Sequence, residues 1–114
     1  MYQINFHIFN LVWDKKFVQN FIEISLPFQL MQGNLPKLTK YANLHYHIYT
    51  TRNSKKFFGP MSRLEKLVTL HFHYLEDLIT EGKPLLDLAK GLRSPNYKYF
   101  IQKICIRDMH INYT

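Results

Sequence analysis

INFHIFNLVW (residues 4–13), DKKFVQNFIEISLPFQLM (14–31), QGNLPKL (32–38) and LHYHIYTT (44–51) follow one another in the first half of the chain. Ile4, Phe6 and Ile8 alternate with Asn5, His7 and Phe9, which is the period-two signature of a strand over about residues 3–12. Asp14 suits a helix N-cap, since its carboxylate can accept a free backbone N–H of the first turn. Phe17, Val18, Phe21, Ile22 and Leu26 recur at helical spacing, with Lys15, Lys16, Gln19, Asn20 and Glu23 mostly on the other side. Pro27 disfavours a helical Leu26, so the helix is expected to end or kink there. Gly33-Asn34 and Pro36 mark a loop. Leu44, Tyr46 and Ile48 then alternate with His45, His47 and Tyr49 in a second strand. Strand, helix, loop and strand make a β-α-β unit, because parallel strands need a crossover of about a dozen residues. In open sheets of this kind ligands bind beyond the carboxyl ends of the strands, which directs attention to Asn10–Asp14 and Thr50–Arg52.

The second half is less decisive. Gly59-Pro60 is a strong breaker, and Ser62 to Lys66 reads as a short helical turn. Val68, Leu70, Phe72 and Tyr74 alternate with Thr69, His71 and His73, the pattern of a third strand. Leu64, Leu67, His71, Tyr74 and Leu78 also fit a helix face, and the β-branched and aromatic content tips residues 67–75 to a strand. Pro84 opens a short helix through Leu92, and Ser94-Pro95 begins a last helix running toward Tyr113. On that helix Ile101, Ile104, Cys105 and Asp108 share a face with Ile111. The expected fold class is α/β, a small Rossmann-like partial sheet of about three parallel strands with flanking helices in one domain, 1–114.

The chain has 114 residues, 46% of them hydrophobic and 16% aromatic, which suits a packed domain and excludes a disordered chain. No apolar run reaches the roughly 18 residues of a transmembrane helix. Gln3, Asn5 and His7 interrupt the N-terminus, so it makes a poor signal peptide and a cytoplasmic protein is expected. The single cysteine, Cys105, allows no intrachain disulfide and reads as a small buried hydrophobe. A net charge of +7 suits either a solvated surface or attraction to phosphates.

Val12-Trp13 after the first strand, Leu26-Pro27 at the helix end, Gly33-Asn34-Leu35-Pro36 and Ile48-Tyr49-Thr50-Thr51 form an ordered set. The set resembles the opening of a group of poorly characterised bacterial glycosyltransferase-like proteins of the GT-A type, over about residues 4–52. The group's usual pattern has Gly where this chain has Asp14 and Ala where it has Lys37. The resemblance implies a nucleotide-sugar partner, met by Trp13, Asp14, Thr50, Thr51 and Arg52 through base, ribose and phosphate contacts. It also implies an Asp-x-Asp pair holding Mn²⁺ or Mg²⁺ against the diphosphate, and this sequence has none. The chain therefore reads as the N-terminal part of a larger glycosyltransferase-like domain, with little or no transferase activity alone and a divalent metal expected only with the missing part. The alternative is a small basic non-enzymatic binding module for nucleic acid or a protein partner, although no nucleic-acid-binding signature is present.

Two His-x-His pairs, His45/His47 and His71/His73, complete the candidates. Residues i and i+2 of a strand share a face, so neighbouring strands could bring four imidazoles together, with His7 joining from the first strand. Imidazole is the commonest zinc ligand, which makes these the candidates for a His-rich metal-binding protein. The plainer reading is amphipathic filling beneath a covering helix. The pairs sit mid-strand, with no nearby Cys or carboxylate to complete a familiar ligand set. Arg52-Asn53-Ser54-Lys55-Lys56 reads as an exposed loop, and Glu76-Asp77 as a solvated turn.

Overall fold

The computed structural model describes residues 4–78 and 96–113. Three parallel strands, β1 (Ile4–Leu11), β2 (Ala42–Thr50) and β3 (Thr69–Tyr74), lie side by side in the order β1-β2-β3. The protein is α/β, a small Rossmann-like partial sheet flanked by helices. The alternation that suggested a strand rather than a helix at residues 67–75 holds, with β3 paired to β2 from Thr69 to Tyr74.

The crossover from β1 to β2 carries α1 (Lys15–Asn20), a π-helical turn (Phe21–Ser25), α2 (Leu26–Gln29) and α3 (Leu35–Leu38). Of the two outcomes expected at Pro27, an end or a kink, the helix does not end; it passes through to Gln29 by way of the π-helical turn. The π turn supplies the reason. Leu26 N–H bonds the carbonyl of Phe21, five residues back. That wider turn accommodates a proline that has no N–H to donate and whose ring crowds an ordinary helix. The Gly33-Asn34-Leu35-Pro36 stretch is also more ordered than a loop. The amide of Asn34 donates to the Phe28 carbonyl at 2.6 Å, and Pro36 sits in the first turn of α3. Beyond β2 come a 3₁₀ turn (Lys55–Phe57), Gly59 at φ 61°, and α4 (Ser62–Glu65), the short helical turn read from sequence. Next follow β3, α5 (Leu75–Leu78) and, at the end of the chain, α6 (Asn96–Tyr113). The helix expected over residues 84–92 lies outside the described residues.

Each face of the sheet has its own cluster. One face presents Ile8, Tyr46, Ile48, Leu70 and Phe72 to the crossover helices, where Val18, Phe21, Leu26, Leu35 and Leu64 are buried against it. The other presents a second cluster of Tyr49, Leu75 and Cys105, with Phe9, Leu11, Trp13 and Met109 around it. Cys105 is fully buried, as a small hydrophobe would be, and burial pushes its thiol up to about 12. The inward stripe of α6 agrees with the expected one at Cys105 and Asp108 and departs from it at Ile111. Ile111 is 66% exposed, and the helix turns Cys105, Asp108, Met109 and Tyr113 inward. Hydrophobicity alone favoured Ile111, but the sheet face offers imidazoles and a phenol, which suit a carboxylate and an aromatic ring better.

Ile48 is fully buried at the centre of the larger cluster, so Ile48→Ala is expected to cost about 2–5 kcal/mol in urea unfolding. Ile24→Ala, at a site 68% exposed, should stay within about 0.5 kcal/mol.

Candidate functional site

The carboxyl end of the sheet is built from two loops tied together by Ser54. The amide of Asp14 donates to Ser54 Oγ at 2.9 Å, and the Thr51 hydroxyl donates to the same oxygen at 2.7 Å. Ser54 N–H in turn donates to Thr51 Oγ1 at 3.2 Å, closing a small turn. Ser54 is 3% exposed, so this knot is part of the interior. The sequence offered Ser54 only as one member of an exposed basic loop. The signal that could have found it is its position three residues after Thr51, a spacing that suits a serine/threonine turn.

Asp14 carries a cost here. Its backbone sits at φ 71°, ψ 143°, a region that L side chains rarely adopt and glycine enters freely. Its carboxylate makes no capping hydrogen bond, contrary to the sequence expectation; only its carbonyl takes part, accepting from Val18 N–H at 2.9 Å. The left-handed backbone turns the side chain away from the free amides. This is the position at which the resemblance has glycine.

Beside this knot, beyond the end of β1, lies a cavity of about 420 Å³ walled by Val12, Trp13, Asp14, Phe21, Ser25 and Gln102, among others. Trp13 and Asp14 thus share one recess. The other candidates stand apart from it. Thr50 is fully buried at the end of β2. The Thr51 hydroxyl is committed to Ser54. Arg52 reaches toward β3, with Nη2 2.5 Å and 2.6 Å from the two carboxylate oxygens of Asp77. Glu76 accepts from the Arg52 amide at 2.9 Å, and the Arg52 guanidinium lies 4.6 Å from the Tyr74 ring centre. The acidic pair read as a solvated turn is therefore the partner of Arg52, although Asp77 remains exposed.

The His-x-His pairs and His7 do meet. Strand register aligns His7 with His45, His47 with His71, and Tyr49 with His73. All five imidazoles lie on the α6 side of the sheet as a stack of rings. His47 and His71 are 4.6 Å apart with their planes 11° from parallel, and His7 and His45 are 4.8 Å apart. His47 is the hub. Its Nε2 is 2.9 Å from His7 Nδ1, and its Nδ1 is 2.7 Å from His73 Nε2. A separate pair joins His45 Nδ1 to His71 Nε2 at 3.1 Å. Tyr113 of α6 lies over His47 at 4.4 Å, and Tyr49 stacks on His73 at 4.5 Å. The Tyr49 hydroxyl donates to Asp108 Oδ2 at 2.6 Å, and Asn112 holds the other carboxylate oxygen at 2.8 Å.

This arrangement favours neutral rings. An N–H···N bond needs a donor on one ring and an acceptor on the other, and two imidazoliums cannot supply the acceptor. Burial, then the neighbouring His71, His73, His7 and His45, push His47 down to about 3. Burial is also the leading cause for His7, His71 and His73, all held below the usual histidine range. Burial and the Asp108 carboxylate raise Tyr49. Both nitrogens of His47 face other imidazoles, so His7, His47 and His73 do not converge on one point as metal ligands must. Among the described residues no group of three or more His, Cys, Asp or Glu side chains is arranged to hold a metal ion. No described helix is long and apolar enough to cross a membrane. Comparison with protein-family models, curated proteins and solved structures gives no match to this chain.

Asp14→Gly is expected to raise stability by about 1 kcal/mol, read from the urea midpoint, since a strained non-glycine backbone of this kind costs roughly 1–3 kcal/mol. The histidines set a pH dependence of the same sign as that of paired carboxylates, displaced to higher pH. Their folded values lie below the unfolded value of 6.5, so below that pH the unfolded chain binds more protons. Their stabilising contribution is full above pH 6.5 and is lost as pH falls, down to about 3 for His47. Urea unfolding is expected to weaken steadily from ~pH 7 to ~pH 5, and His47→Phe should flatten that slope.

Proposed function

We propose that this chain is the nucleotide-sugar-binding front of a glycosyltransferase-like α/β domain, able to bind a nucleoside diphosphate sugar and weak or inactive in transfer by itself. The observation that carries the reading is the cavity beyond the carboxyl end of β1, with Trp13 and Asp14 in its wall. Parallel open sheets hold ligands at that edge, and the volume falls within the range of small-molecule sites. Trp13 offers a face for a base, and the exposed Asp14 carboxylate is an acceptor for ribose hydroxyls. Arg52 would meet the diphosphate after exchanging Asp77 for it. An exposed ion pair of this kind contributes only about 0–1 kcal/mol, so the exchange costs little. Thr50 and Thr51 serve the frame of the site in this reading, since one is buried and the other holds Ser54. Without an Asp-x-Asp, the chain supplies binding and lacks the metal that offsets the leaving group's charge.

Thermal shift and calorimetry with a panel of nucleoside diphosphate sugars test this. One panel member is expected to stabilise the protein, by about 1.4 kcal/mol at a tenfold excess over its Kd. Trp13→Ala should abolish the shift, and His71→Phe, on β3 and outside the cavity wall, should keep it. A flat response across the panel, or turnover of the donor with Mn²⁺ by this chain alone, would overturn the proposal.

A further inference from the structure

We infer that the histidine face is a proton-operated latch, holding α6 on the sheet while its imidazoles are neutral and releasing it when they charge. The inference is independent of what the cavity at Trp13 binds.

Proton counting is the first support. His7, His47 and His73 form one chain with two N···N bonds, and His45 and His71 form a pair with one. A neutral chain of three imidazoles carries three ring protons. Two lie in the links and the third sits at one free end. One added proton fills the other free end and keeps both links. A second must enter a link, where two N–H groups then face each other and the bond is lost. The His45–His71 pair likewise takes one proton before its link breaks. Even the tolerated charges are poorly placed, because the two networks meet at His47 and His71, stacked 4.6 Å apart with nearly parallel rings. Like charges stacked at that distance repel.

Among the described residues the surroundings offer little to offset those charges. Tyr49 faces the rings from β2, and Asp108, Tyr113 and Cys105 face them from α6. Leu75, from α5, adds only an apolar contact to the same cluster. Asp108 is the one carboxylate among these, and it already accepts from Tyr49 and Asn112. His110, the one histidine of α6, is exposed. Water is the remaining means of solvating the imidazoliums, and His47 is fully buried beneath Tyr113. Hydration of the hub therefore requires the last turns of α6 to lift. The crossover helices pack on the opposite face of the sheet and are untouched by that movement.

Hydrogen–deuterium exchange of the whole chain, corrected for the intrinsic rate, tests the latch from ~pH 7.5 to ~pH 5. Peptides from α6 are expected to open more than tenfold per pH unit below ~6.5, which requires more than one proton, while β2 peptides stay protected. In His47→Phe the slope should fall to tenfold per pH unit or less, about what one titrating group gives. If His47→Phe does not fold, His71→Phe, at a half-buried position, serves for the same comparison. Protection of α6 that is flat down to ~pH 5 would overturn the latch. So would loss of α6 and β2 protection together at every pH, or an unchanged slope in the variant. Imidazole ¹⁵N spectra of the unmodified protein give a check that needs no variant. His47 should be neutral at ~pH 7 with couplings across both of its N–H···N bonds, and a charged His47 there would refute the inference.

Discussion

β2 is hydrogen-bonded to a parallel strand on each side, and from Tyr46 to Thr50 every one of its residues is buried. Such strands commonly read as continuous apolar runs, since helices cover both faces. This one does not. One side of β2 is apolar and carries the larger core; the other carries His45, His47 and Tyr49. A buried ring nitrogen without a partner is costly, so the strand can be central only if its imidazoles find partners without water. Parallel register solves this by placing His7 beside His45 and His71 beside His47, so that diagonal neighbours bond one another: His7 to His47, His47 to His73 and His45 to His71. The way α6 covers the sheet follows from that constraint.

One consequence is a division of labour between the faces. The crossover helices pack by apolar burial, a term that does not depend on protonation. α6 instead covers a surface whose affinity for a helix depends on the rings being neutral. It brings an aromatic ring and a single carboxylate to that surface, and leaves Ile111 in solvent. Sheet stability and helix docking therefore respond differently to acid, although both involve the same strand.

The carboxyl end of the sheet obeys a different constraint, one of backbone shape. The turn from β1 into the first helix requires a positive φ at Asp14, and Ser54 fixes that turn by accepting its amide. The Gly expected there from the resemblance has a physical reason, because only glycine enters this conformation without penalty. Asp14 accepts strain and places a carboxylate at the mouth of the cavity. Arg52 shows a similar tension, being both the strongest charge at the edge and already occupied by Asp77.

The β-α-β order, three strands, the short turn at Ser62 and the burial of Cys105 were all readable from residues 4 to 105. Each depends on local periodicity or on the character of one side chain. The sequence also placed His45 and His47 on one face, and likewise His71 and His73, because alternation along a strand is a local rule. It could not decide whether the two pairs would meet, which is a matter of register between segments far apart in the chain. Two further features depended on long-range contacts. Asp108 finds its partner in the Tyr49 hydroxyl, and Ser54 is interior because two loops converge on its hydroxyl. The sequence alone determined the elements and which residues share a face. Only the tertiary structure decided the partners, because each hydrogen bond joins groups whose separation along the chain carries no signal of their distance in space.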